Sequence, residues 1–191
     1  MLEGGRWRGE IREPWSWLVA SAALAIAVWG VGGRATLASL SPPLAVVIGF
    51  IVHEMAHKLV ARRGGMRAEF VATREGLVIT ILSALLPLKI LAPGYVRVYT
   101  HYRISPRWAF YSVAAGPASN IAIALVSLGI SMAAGSQLVA YVARVFAEIN
   151  AWLALFNLIP VSPLDGYKIL SQDWRLWLAL SLAAGALYYL A

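Results

Sequence analysis

Residues 44–63 read LAVVIGFIVHEMAHKLVARR, and this stretch decides the fold. It is apolar up to Val52, then carries His53, Glu54, His57 and Lys58 in a run that stays otherwise apolar until Arg62 and Arg63. A helix needs about 20 apolar residues to cross a hydrocarbon core. An ionisable side chain at the centre of such a helix costs about 2.5–3.5 kcal/mol even on the lenient insertion scale, so groups placed there serve a purpose. His53 lies nine residues before Arg62, roughly 13 Å deep at a rise of 1.5 Å per residue.

The rest of the chain is of the same kind. Of its 191 residues 60% are hydrophobic and 13% charged, with a mean hydropathy of +0.71, whereas soluble domains carry about 25% charged residues. Lipid is the solvent this composition calls for. Uncharged runs cover residues 14–33, 35–52, 108–143, 149–164 and 176–191. The net charge of +7 would suit nucleic acid, but the basic residues are scattered among apolar spans instead of lining one polar face, so no nucleic-acid partner is expected. Cysteine is absent, which leaves nitrogen and oxygen as the metal ligands available. The first apolar run lacks a small-residue cleavage site and reads as a retained anchor.

Arg6, Arg8 and Arg12 precede span one (15–31) and put the N-terminus in the cytoplasm by the positive-inside rule. Arg34 lies in a short outer loop, Pro42 and Pro43 sit where a helix can begin, and span two runs over about 44–61. Residues 70–73 and 77–81 are short β-prone runs around Arg74-Glu75-Gly76, the pattern of a hairpin, and 95–100 reads as a further strand. Residues 82–91 are apolar but broken by Pro87 and Lys89, which predicts a re-entrant or interfacial element lining a chamber. Span three (108–130) follows Arg97, Arg103 and Arg107, and Gly135-Ser136-Gln137 forms the outer turn. Span four (138–159) breaks at Pro160 and Pro163, and span five covers 174–189. The expectation is an α-helical polytopic membrane protein of about five transmembrane helices, with a small membrane-associated β-hairpin or re-entrant element between the second and third. It forms a single domain over residues 1–191. Trp15, Trp17, Trp108, Trp174 and Trp177 fall near span ends, as an aromatic belt requires.

His53-Glu54-Met55-Ala56-His57 is an H-E-x-x-H motif. On a helix His53 and His57 project from one face a turn apart, so both imidazoles can bind one ion. Glu54 is then placed as general base, and zinc suits two imidazoles plus a carboxylate with one position left open. The third ligand falls on Asp165, in Asn157-Leu158-Ile159-Pro160-Val161-Ser162-Pro163-Leu164-Asp165-Gly166. The prolines interrupt the helix and Gly166 permits a bend, so the carboxylate can be aimed sideways; the alternative is an aspartate capping the next helix. Asn157 is a candidate hydrogen-bond donor to a substrate carbonyl or oxyanion, with helix packing as the alternative. Gly116, Ala118 and Ser119 are small residues that let span three approach its neighbours, and Asn120 can hydrogen-bond between helices. His101, in a basic stretch, reads as surface placement.

The two motifs resemble those of the site-2 protease family of intramembrane metalloproteases, which pairs H-E-x-x-H with N-x-x-P-x-x-x-L-D-G; Gly116-Pro117-Ala118-Ser119-Asn120 is similar to that family's G-P-x-x-N element. The resemblance covers about residues 44–170, the expected catalytic core, and is to a compact form without a PDZ module or nucleotide-sensing domain. It implies one zinc per chain held by His53, His57 and Asp165, with Glu54 as catalytic acid/base. The implied activity is hydrolysis of peptide bonds within or near transmembrane segments of protein substrates, in the cell membrane, with the active site toward the cytoplasm. The other readings are a catalytically silent membrane scaffold and a metal transporter. Intact Glu54 speaks against the first, and the lack of paired repeats with broken helices against the second. The substrate, an unwound transmembrane segment, would add as a strand to residues 95–100 or to the hairpin.

Overall fold

A computed structural model describes residues 10–29, 36–86, 90–99 and 105–191. Arg6, Arg8, Arg34, Pro87, Lys89, Thr100, His101 and Arg103 lie outside the described residues. The chain runs β1 (Glu10–Arg12), α1 (Trp15–Trp29), α2 (Leu37–Arg63), β2 (Arg67–Thr73), α3 (Arg74–Leu82), a 3₁₀ turn (Ser83–Leu85) and β3 (Gly94–Tyr99). It continues through α4 (Pro106–Ala133), α5 (Gln137–Asn157), the short α6 (Asp165–Leu170) and α7 (Trp174–Leu190). Among the described residues three helices, α2, α4 and α5, are long and apolar enough to cross a membrane. They pack on one another, and α7 packs on α4 and α5. Leu44, Ile48 and Val52 of α2 and Leu125, Val126 and Ile130 of α4 stay exposed, an apolar surface suited to lipid.

Two elements depart from the expectation. Helix α2 begins at Leu37, seven residues before the predicted start, with Pro42 and Pro43 inside it. Thr36 and Ser39 form a capping box: Ser39 N–H donates to Thr36 Oγ1 at 3.1 Å, and Thr36 N–H donates to Ser39 Oγ at 2.8 Å. The Ser41 hydroxyl donates to the Ala38 carbonyl at 2.7 Å, the acceptor that Pro42, lacking an N–H, cannot serve. The prolines therefore sit in the first turns without ending the helix.

The predicted hairpin over 70–81 is not formed. Residues 77–81 are helical, because Thr73 accepts from Gly76 N–H at 3.1 Å and caps α3, and Glu75 sits in the first turn. The β-branched residues Val78, Ile79 and Ile81 face outward on that helix. β2 pairs instead with β1 on one side and with β3 on the other, both antiparallel, in the order β1-β2-β3. The strand expected at 95–100 is β3, which leaves it at the edge of the sheet.

The sheet is fixed to the helices through β2. Phe70, fully buried, packs 4.4 Å from the Trp17 ring of α1 and edge-on at 5.5 Å from Phe50 of α2. Glu13, between β1 and α1, accepts from Trp17 Nε1 and from Phe70 N–H, each at 2.9 Å, and from Lys58 of α2. One carboxylate thus ties α1, β2 and the residue next to His57 together. Burial pushes the Glu13 carboxyl up, but the hydrogen bonds from Lys58, Phe70 and Trp17 outweigh it and hold the group below its ordinary value. Glu69 behaves alike: burial raises it, and hydrogen bonds from Arg12 and Tyr99 win.

Removing one partner of a buried ion pair costs about 3–5 kcal/mol because it strands the other charge. The Lys58 side chain is 8% exposed, so Glu13→Ala should lower the melting temperature in detergent. Adding Lys58→Met should restore much of the loss; an unchanged melting temperature in the single variant would contradict this anchoring. Both carboxyls, depressed below 4.5, add stability that is complete above that pH and lost as pH falls through their folded values. Melting temperature measured against pH should accordingly drop on the acid side of 4.5, and drop less steeply in Glu13→Ala.

Candidate metal centre

His53, Glu54 and His57 lie in the C-terminal half of α2, all three buried. Asp165 is the first residue of α6, after the break that ends α5, with Leu164 at the cap position. The aspartate is therefore not the helix cap. Pro160 and Pro163 fall within that break, and it folds tightly: a Cβ at Gly166 would lie 2.1 Å from the Leu158 carbonyl oxygen, so only glycine permits the approach. The turn carries the carboxylate back to α2.

Three acceptor atoms meet there. Asp165 Oδ2 is 3.3 Å from His53 Nε2 and 3.1 Å from His57 Nε2, and the two Nε2 atoms are 2.9 Å apart. Ligand atoms around a tetrahedral zinc at 2.0–2.1 Å are separated by about 3.3–3.4 Å. The observed triangle is close to one face of that tetrahedron. The chemistry of the donor set agrees: His57 Nδ1 faces the Ser112 carbonyl at 2.6 Å and His53 Nδ1 faces Asn120 Oδ1 at 2.6 Å. With each Nδ1 carrying the ring proton toward its acceptor, both Nε2 atoms present lone pairs, and a carboxylate oxygen presents a third. Three lone pairs converging in a buried site call for a cation.

The surroundings keep that place open and oriented. A Cβ at Gly116 of α4 would lie 2.3 Å from His57 Nε2 and 2.6 Å from His53 Nε2, so glycine here leaves both Nε2 atoms clear. The sequence assigned Gly116 to helix packing; the close approach is to the imidazoles. The Ser112 hydroxyl donates to the His57 carbonyl at 3.0 Å, which locks α4 to α2 at that histidine. Lys168 Nζ lies 3.6 Å from Asp165 Oδ1, holding the oxygen that does not face the histidines.

A cavity of about 580 Å³ opens onto these residues. Glu54 and Asn157 line it, together with Tyr95, Val96 and Val98 of β3. The Asn157 amide donates to the Leu153 carbonyl at 3.0 Å, which uses one of its two hydrogens. The predicted ligands and base thus share one cavity. Ser112 and Lys168 did not emerge from the sequence. A hydroxyl in an apolar helix and a cation one turn from Asp165 are the signals that could have found them.

Residues 43–144, from α2 to the first turns of α5, match the sequence profile of peptidase family M50. Three relatives each bear the name of a putative zinc metalloprotease. One from Methanocaldococcus jannaschii is 36% identical over 141 residues, which covers 73% of this chain and 73% of that protein. YwhC of Bacillus subtilis is 31% identical over 156 residues, 70% of each. Rip3 of Mycobacterium tuberculosis is 30% identical over 158 residues, 79% of this chain but 34% of that protein. No solved structure matches. A profile that takes in just over half of the chain, including the helix with both histidines, and relatives this similar over most of their own length establish that the chain belongs to peptidase family M50.

Proposed function

We propose that the chain is a zinc endopeptidase that hydrolyses peptide bonds within or beside transmembrane segments of membrane proteins. The observation that carries this reading is the triangle of His53 Nε2, His57 Nε2 and Asp165 Oδ2, with sides of 2.9–3.3 Å, whose two imidazoles stand on a helix long and apolar enough to span the bilayer. His53, His57 and Asp165 hold one zinc ion, which when bound acts as a Lewis acid and makes water acidic enough to serve as nucleophile near neutral pH. Glu54 takes a proton from the attacking water at its carboxylate and delivers it to the leaving amide nitrogen. Asn157 directs its second amide hydrogen at the carbonyl oxygen on which charge develops.

The substrate is an unwound transmembrane segment, since a helical peptide bond is shielded and internally hydrogen-bonded. β3 supports this: it is an edge strand, and Gly94, Tyr95, Val96 and Val98 line the cavity. A peptide added alongside it would be held by main-chain hydrogen bonds in extended form. The catalytic core spans about residues 44–170 of a single membrane-embedded domain.

The same reading takes α1 and α7 as further crossings, five in all, in the cell membrane. At 1.5 Å per residue their 15 and 17 residues reach about 22 and 25 Å, enough for a locally thinned bilayer. Arg12, Arg62, Arg63, Arg107 and Arg175 all fall at the helix ends this topology puts in the cytoplasm. By this reading the active site faces the cytoplasm.

Purified in detergent, Glu54→Gln should keep stoichiometric zinc yet cleave a model transmembrane substrate at least ~10²-fold more slowly. A variant that cuts at the normal rate would remove Glu54 from the mechanism. Proline placed in turn at Tyr95, Val96, Arg97 and Val98 should weaken cleavage while zinc content stays intact; no effect at any of the four would refute strand addition.

A further inference from the structure

Hydrogen bonds lead to the metal face from two neighbouring helices, and their directions are determined. Asn150 of α5 donates through Nδ2 to the Phe146 carbonyl at 2.9 Å. A carbonyl only accepts, so Asn150 must present Oδ1 on its other side. That oxygen receives Asn120 Nδ2 at 2.9 Å, and Asn120 Nδ2 also donates to the Gly49 carbonyl at 3.1 Å. Both amide hydrogens of Asn120 are thereby taken by oxygens, which fixes which end of the amide is which. Its Oδ1 then faces His53 Nδ1 at 2.6 Å and accepts the ring proton.

Each step forces the next: the Phe146 carbonyl orients Asn150, Asn150 and Gly49 orient Asn120, and Asn120 orients the imidazole. Asn120 and Asn150 are both fully buried. A Cβ at Gly49 would lie 2.5 Å from Asn150 Oδ1, so the glycine one turn before His53 is what lets α5 come this near. Packing alone does not need this arrangement. A leucine at either asparagine would fill the same space without a desolvated amide group to satisfy.

We propose that Asn120, oriented by Asn150 and the Gly49 carbonyl, is a positioning residue that holds His53 in the tautomer with its proton on Nδ1 and its Nε2 lone pair turned to the metal. The inference rests on the zinc reading above. It assigns a role in metal affinity to residues that bind no metal, by fixing a ligand's tautomer and ring angle before the ion arrives.

The test compares Asn120→Leu with Asn120→Asp in the full chain. The aspartate keeps an oxygen acceptor for His53 Nδ1 but loses both donations, whereas leucine loses acceptor and donors together. Zinc dissociation constants, measured by competition with a chromogenic chelator, should be about 10–100-fold weaker for Asn120→Leu. They should stay within about threefold of wild type for Asn120→Asp, where a carboxylate takes the usual place behind a zinc-bound imidazole. The visible spectrum of the cobalt(II)-loaded protein should change in the leucine variant and hold in the aspartate one. If Asn120→Leu does not fold, Asn120→Ala makes the same comparison. Equal loss in the aspartate and leucine variants would assign the pair to helix packing and overturn the proposal, as would wild-type affinity and spectrum in the leucine variant. Wild-type protein that takes up neither metal would instead overturn the zinc reading itself, and the inference with it.

Discussion

Three lone pairs pointed at one another inside a bilayer are a liability that only a cation removes. The Nε2 atoms of His53 and His57 and Oδ2 of Asp165 lie within 3.3 Å of one another. Each ring's other nitrogen is committed to an acceptor, the Ser112 carbonyl or Asn120 Oδ1. In water such a triangle would be hydrated, but here each side chain is buried and the desolvation falls on all three at once. Much of the structure serves to hold this triangle. α4 supplies Ser112, Gly116 and Asn120, the break after α5 supplies Asp165, and the Glu13–Lys58 pair fixes α2 beside His57.

The candidate ligands and the proposed base stand out in the sequence because chemistry in a membrane is conspicuous. His53, Glu54 and His57 interrupt an apolar run where charge is costly, and the i, i+4 spacing of the two histidines sets both on one face of a helix. Asp165 was legible for a different reason: prolines and a glycine around it announce a chain that stops being helical at membrane depth, and such a stop needs a use. The long helices α2, α4 and α5 followed from length and hydropathy alone.

What was not legible depended on contacts between distant residues. Residues 77–81 are β-prone by composition, yet Thr73 caps a helix there and β2 finds its second partner twenty-odd residues on, in β3. Two adjacent prolines look like a helix start, and the Ser41 hydroxyl that compensates for Pro42 becomes visible only in the fold. Asn120 read as glue between helices because the sequence cannot say which face of α4 meets His53. Gly116 read as packing for the same reason. Side chains that meet the imidazoles carry no spacing signature of their own; they are found by following each ring nitrogen to its partner.

X-ray absorption at the zinc edge on purified protein tests the central claim most directly. The account predicts one zinc per chain, a first shell of nitrogen and oxygen at about 2.0–2.1 Å, and outer-shell scattering from two imidazoles. A chain that binds no zinc, or zinc whose spectrum lacks imidazole scattering, would contradict it.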